Sequence, residues 1–326
     1  MSVNGDVKLL APSYEVEYNK AILFILINQN KFIEVISFLE ENTKLDLDFV
    51  NYWKAKVALA VGNWGECVGF LNQLSYFNQE VLLEKLNCYA ELGDVQSFFK
   101  LRCEIIDSSL SNSQSVMIKA WRLQSNMKWE DTIEYLESKL SIFSTKELSI
   151  YKPELLLSQA LRNIGSFNAA NRYLVSFEKH TKNNPRCRIE IAKLAFVREN
   201  YKKCIDQYSM SVNGDVKLLA PSYEVEYVKA LLNDDQLGKY NKYITDVLGR
   251  YSKKVDLQKA YIHALARNKS WENVISNATE LVLLSDDSII YPLTLARYRL
   301  GHFEDAYNEI FKPNSNHSYE YFDLVS

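Results

Sequence analysis

Large apolar residues recur along this chain at a near-constant interval: Phe32, Trp64, Val95, Trp129, Phe167, Tyr201, Trp271 and Phe303. The gaps are 32, 31, 34, 38, 34, 70 and 32 residues, and the double-length gap is what one degenerate repeat between Tyr201 and Trp271 leaves. A glycine lies two positions before four of these anchors, at Gly62, Gly93, Gly165 and Gly301. A period of this length describes an array of small supersecondary units, each burying its apolar face against its neighbours.

The copy from Pro153 to Phe177 is the clearest. Leu157 and Leu161 fall on one helix face, Gly165 ends that helix, and Phe167, Ala170 and Leu174 form the apolar stripe of a second. Each unit is therefore predicted to be a helical hairpin. Ala170, three residues after its anchor, is small because the two helices approach closely there; Val35, Cys67, Cys204 and Ala306 are its counterparts. Phe98 occupies this position in the third copy, which is expected to be distorted. Trp64, Trp129 and Trp271, as anchors, are expected in the core. Pro12, Pro153, Pro185 and Pro221 fall where new pairs begin, and Pro292 falls in the opening turn of the last pair. The degenerate copy runs from Pro221 to Arg250, with Asn233 to Gly238 as its turn.

In the last copy Leu293, Gly301, Phe303, Ala306 and Pro313 repeat these relative places. With this set the chain resembles the tetratricopeptide repeat superfamily over residues 14–313. The resemblance implies an all-α, right-handed superhelical solenoid of about nine stacked antiparallel helix pairs. Its concave inner face would be lined by the first helix of each pair. Residues 314–326 follow as a tail or a capping segment.

Residues 1–18, MSVNGDVKLLAPSYEVEY, recur verbatim as residues 210–227. Diverged repeats do not keep such identity, so the copy reads as a recent duplication or an artefact of gene assembly. The alternative is one surface segment that binds two copies of a partner. The internal copy follows a predicted helix and is expected to be ordered, whereas the N-terminal one is expected to fray as far as Ala11.

Composition narrows the function. Apolar residues make up 47% of the chain, enough for a large core, and the net charge of −3 argues against general affinity for nucleic acid or anionic membranes. Cys67, Cys88, Cys103, Cys187 and Cys204 show no metal-ligand spacing; packing roles at Cys67 and Cys204 fit a reducing compartment. No run reaches the roughly 18 apolar residues of a membrane span. The N-terminus does not read as a secretion signal. These observations together lead to the expectation of a soluble, cytoplasmic protein.

Catalytic signatures are missing from the sequence: it holds no phosphate loop, dinucleotide fingerprint, zinc-protease motif or nucleophile elbow. His180, His263, His302 and His317 are scattered, and Glu40-Glu41 and Asp234-Asp235 read as solvated helix ends or turns. Neither an enzyme nor a cofactor is expected. The repeat register instead places Tyr52, Lys56, Asn87, Trp121, Gln159, Arg162, Lys193, Lys259, His263 and Arg267 on the inner face. Lys259, His263 and Arg267 are spaced by four and give one basic helix face suited to an acidic peptide, a phosphorylated segment or a C-terminal carboxylate. The function expected is a scaffold or adaptor that binds an extended protein partner in the groove. Two alternatives are a structural subunit that packs through its outer and end faces, and an accessory domain for an enzyme on another chain. The first pair, with AILFILI at residues 21–27, is the expected surface for a homodimer.

Overall fold

A computed structural model of the chain describes residues 12–181, 183–282 and 287–310. Residues 1–11 and 314–326, the first stretch expected to fray and the second to be a tail or cap, lie outside the described residues.

Among the described residues nineteen α-helices form nine consecutive pairs and one unpaired helix, an all-α fold. The pairs are α1 (Pro12–Asn28) with α2 (Phe32–Glu41), α3 (Leu47–Val61) with α4 (Trp64–Asn72), α5 (Gln79–Leu92) with α6 (Val95–Arg102), and α7 (Asn112–Ser125) with α8 (Trp129–Glu137). The short helix α9 (Thr145–Tyr151) precedes α10 (Pro153–Asn163) with α11 (Phe167–His180) and α12 (Pro185–Val197) with α13 (Tyr201–Ser211). The last three pairs are α14 (Pro221–Asn233) with α15 (Leu237–Arg250), α16 (Val255–Arg267) with α17 (Trp271–Val282), and α18 (Asp287–Arg299) with α19 (Phe303–Ile310). Pro12, Pro153, Pro185 and Pro221 each open a helix, where a missing N–H costs nothing. Pro292 is the exception: it lies inside α18 rather than in its opening turn.

Every anchor is the first residue of the second helix of its pair. The residue two before it is left-handed at all nine turns. Gly62, Gly93, Gly165 and Gly301 hold that place at four of them, with φ between 67° and 82°, and Asn30, Met127, Glu199, Asp235 and Lys269 hold it at φ 53–58° elsewhere. The geometry satisfies the last carbonyls of the first helix. In the fifth pair, for example, the Ser166 N–H donates to the Leu161 carbonyl at 2.8 Å. The repeat requires the conformation, and glycine is only its least costly occupant.

Apart from Phe32, which is buried, the anchors themselves lie outside the core. Trp64, Trp129 and Trp271 are only half-buried, and Phe303 is 61% exposed, which corrects the expectation from the sequence. A side chain at the first helical residue flanks the turn, while the position three residues later faces the partner helix. There Val35, Cys67, Phe98, Thr132, Ala170, Cys204, Val274 and Ala306 are all buried. The bulk of Phe98 is accommodated by a short second helix of 8 residues, packed among Leu86, Leu101, Met117 and Leu136.

The chain divides into two compact units, one running to Arg198 and including Asp206–Pro221, the other comprising Glu199–Ile205 and the residues from Ser222 on. The first unit curls far enough for α12 to pack against α3. Its closing contacts are long in sequence. Asn30 Nδ2 donates to the Asn183 carbonyl at 2.9 Å, and Arg186 pairs with Glu91 at 2.7 Å while its guanidinium covers the Trp64 ring at 4.5 Å.

The second unit is organised around Glu224, whose carboxylate is 2% exposed in side-chain terms. Arg250 donates to both of its oxygens at 2.7 Å, and the hydroxyls of Tyr243 and Tyr251 donate at 2.9 and 3.0 Å. Glu224 belongs to the duplicated segment, and its counterpart Glu15 is exposed on α1.

Two pairs of outcomes are expected in chemical denaturation. Gly165→Ala should destabilise by about 1 kcal/mol, since its Cβ meets no atom within 4 Å and the cost is purely conformational, while Met127→Gly, at an exposed left-handed residue, should gain up to about 1 kcal/mol. Glu224→Ala, which strands three donors, should cost about 2 kcal/mol or more. Glu15→Ala, in the same local sequence, should stay within about 0.5 kcal/mol.

Candidate functional site

A cavity of about 680 Å³ opens on the inner face of the first unit, and α1, α3, the start of α5, the α9–α10 junction and the start of α12 wall it. Phe24, Phe49, Tyr52, Trp53 and Tyr76 supply its aromatic surface. The Tyr52 and Trp53 rings meet edge to face, with centroids 5.9 Å apart, and Trp53 leans on Phe49 at 6.2 Å. Asn78 and Asn184, which cap α5 and α12, add polar groups to the wall.

Its ionisable lining is unbalanced. Lys20, Lys56, Lys152 and Arg186 face one carboxylate, Glu80. Lys56 bridges from α3 to α5, donating to Glu80 at 2.8 Å and to Glu84. Burial works against its charge, but Glu84, Tyr52 and Glu80 together outweigh burial and hold its pKa above the ordinary lysine value. Burial pushes the Tyr52 hydroxyl up to about 12, so it acts as a neutral donor to Glu80, at 2.9 Å. Lys20 is paired with Glu17, and Arg186 with Glu91, which also accepts from Gln159 Nε2 at 3.3 Å.

Lys152 differs from the other three cations. It stands between α9 and α10 in the left-handed conformation, φ 56°, directly before Pro153. Among the described residues its ammonium has no hydrogen bond or ion pair. Burial, with Arg186 and Lys56 nearby, pushes its pKa down to about 7 against the pull of Glu84 and Glu91.

The residues expected on the inner face divide between the units. Tyr52 and Lys56 are brought together in the cavity. Arg162 pairs with the buried carboxylate of Glu190 at 2.5 Å, and Asn87 and Lys193 are half-buried on α5 and α12. Trp121 is a correction: it is 6% exposed and packed in the core with Met117, Leu136 and Phe143, because its helix turns that face toward α8 rather than toward the groove. In the second unit Lys259, His263 and Arg267 share one face of α16, as their spacing requires. Arg267 there donates to Asp235 at 2.9 Å and to the Leu232 carbonyl at 2.5 Å, so it ties down the preceding turn.

Lys152 and Arg186 escaped the sequence reading. Both adjoin a helix-opening proline, Pro153 and Pro185, and that was the available signal. Their meeting with Lys56 and Glu91 depends on the curl of the unit. Among the described residues no group of three or more His, Cys, Asp or Glu is placed to hold a metal ion, and no helix is long and apolar enough to cross a membrane.

Nine hairpins, each with a left-handed turn and eight of them with a buried residue three positions into the second helix, are now in place. The described residues form an all-α array of helical hairpins. A structure of the Cut9–Hcn1 hetero-tetramer of the APC/C is similar at a TM-score of 0.46 and 13% identity, over 83% of this chain and 59% of that one. The tetratricopeptide domain of P58(IPK) is similar at a TM-score of 0.30 and 13% identity, over 93% of this chain and 94% of that one. No protein-family model and no curated protein matches the sequence.

Lys152 also makes the stability of the array depend on pH. The folded protein releases the Lys152 proton near pH 7, whereas the unfolded chain keeps it to about 10.5. Between these values the unfolded state binds more protons, so this group makes stability rise with pH; below 7 its penalty is complete. Lys152→Met should therefore stabilise by on the order of 1 kcal/mol at about pH 6, with the gain shrinking as pH approaches 10. Urea denaturation of parent and variant across that range checks it.

Proposed function

We propose that this protein is a non-catalytic interaction scaffold, and that an extended segment of a partner protein lies along the inner face of its first unit and enters the cavity beside Tyr52 and Lys56. The observation that carries this reading is the cavity itself: about 680 Å³, with an aromatic wall, two helix-capping asparagines and four cations around one carboxylate. Aromatic surface gives contact area at little cost in side-chain entropy, and fixed cations select the partner's charge. A segment crossing several hairpins touches one first helix after another, which lets moderate contacts add along its length. The basic face of α16, with Lys259 and His263, offers a second contact of the same charge in the other unit.

The test is affinity capture from an extract of the native cell, comparing the intact protein with a Lys20→Glu, Phe24→Glu variant. Both residues are exposed at the cavity mouth, so the change leaves the core alone. A Lys100→Glu variant on the exposed face of α6 serves as the control, with equal helicity verified for all three. Capture of the principal partner should fall about tenfold or more in the mouth variant and be unchanged in the control. Equal capture by all three overturns the cavity as the binding site.

A further inference from the structure

The sequence PSYEVEY opens both α1 and α14, and the two copies differ in what covers their tyrosines and first glutamate. In α14, Tyr223 and Tyr227 are 6% and 4% exposed, the Tyr227 ring meets the Tyr243 ring edge to face at 6.1 Å, and Glu224 accepts from Arg250, Tyr243 and Tyr251. These partners belong to α15 and the residue after it. In α1 the counterparts Tyr14 and Tyr18 are 67% and 41% exposed, and Glu15 is exposed beside them. The second helix makes the difference. α15 has 14 residues against the 13 of α14, whereas α2 has 10 against the 17 of α1. Counted from the start of the second helix, the places of Arg250 and Tyr251 fall in the first pair on Leu45 and Asp46, past the end of α2. An apolar group and a second acid cannot grip Glu15. Helical spacing puts Tyr14, Tyr18 and Ile25, itself 52% exposed, on one stripe opposite the buried Leu23. Neither this stripe nor Glu15 lines the cavity.

We infer that the Tyr14–Glu15–Tyr18 face of α1 docks one amphipathic helix of a partner protein, which brings an arginine to Glu15 and tyrosines beside it, as α15 brings them to Glu224. The internal copy fixes the chemistry, because the same residues in the same helix are satisfied there by a helix with tyrosine, arginine seven residues on and tyrosine next. Arg250 reaches both oxygens of Glu224, a planar two-point contact that lysine does not reproduce. Tyrosine and arginine are also the side chains that carry most affinity where helices meet at an interface. The inference goes beyond the cavity reading and does not depend on it.

The probe is a fluorescent synthetic peptide of residues 236–254, the protein's own α15, held helical by a lactam between Lys242 and Asp246, both exposed. Its anisotropy is followed against the full-length protein, Glu15→Arg, the control Glu40→Arg on the exposed side of α2, and the cavity variant Lys20→Glu, Phe24→Glu. The peptide should bind the intact protein and Glu40→Arg alike, the cavity variant no more weakly, and Glu15→Arg about tenfold or more weakly. A peptide carrying Arg250→Glu should lose affinity for the intact protein and regain it for Glu15→Arg. This exchange of charges separates docking on α1 from displacement of the resident α15, because Glu224 is present in every variant. Saturable binding absent from the intact protein overturns the proposal and leaves residues 12–18 a duplication without a partner. Equal binding to Glu15→Arg, equal loss in Glu40→Arg, or no regain with the charge-exchanged peptide overturns it too. So does a dimer in sedimentation that Glu15→Arg dissociates, since a second copy then occupies the stripe. Partner capture unchanged in the cavity variant, with peptide binding as expected, would remove the cavity reading alone.

Discussion

Everything in this array depends on how closely two helices can approach one turn into the second helix of each pair. In eight of the nine pairs the residue there is buried, whether it is alanine, cysteine, valine, threonine or phenylalanine, and in the seventh it is the half-buried Tyr240. A left-handed residue at the turn sets the angle at which the second helix returns, and the side chain three residues after the anchor meets the first helix wherever that angle directs it. With the angle fixed, neighbouring pairs of the first unit stack through the remaining apolar positions. The same geometry keeps the tryptophan anchors at the edge of the turn, half in water.

In the first unit stacking goes on until the chain meets itself. Arg186 reaches a carboxylate 95 residues earlier in sequence and covers a tryptophan of the second pair. That contact does more than hold the curl. It brings the start of α12 beside the corner before α10 and the inner surface of α3, and so concentrates like charges in one cavity. Burying a charge is costly unless it is paired, and here three cations are paired with carboxylates or their neighbours while Lys152 is left over. The lowered pKa of Lys152 follows from closure rather than from any property of its own helix.

The hairpins were legible in the sequence because their requirements are local. A glycine before an aromatic, a small residue three positions on and a proline at a helix start act within one turn, and the helix bounds follow them. Even the degenerate seventh pair was found, through its turn at residues 233–238. The tryptophans misled because size suggests burial, whereas at the first helical residue they flank the turn and stay half in water. Trp121 misled in the opposite sense: repeat register assigned it to the groove, and packing against α8 claimed it for the core. Of the site, only Tyr52 and Lys56 came from the pattern. Lys152, Arg186 and their carboxylates are brought together by the sum of several pair-to-pair rotations, which no local signal records.

The duplicated segment separates the two contributions. Residues 12–18 and 221–227 are identical, and both begin a helix at their proline, since fixed φ and a missing N–H act on the chain wherever it lies. Their surroundings differ. Tyr14 is 67% exposed on α1, whereas Tyr223 is 6% exposed on α14, and Glu15 stands in solvent while Glu224 accepts from Arg250, Tyr243 and Tyr251. Sequence alone determined the helix, its start and the period of the array, because these rest on backbone sterics and on neighbours within a turn. Only the tertiary structure decided which copy of the same carboxylate became a buried keystone and which stayed a solvated charge, because burial depends on residues far away in sequence.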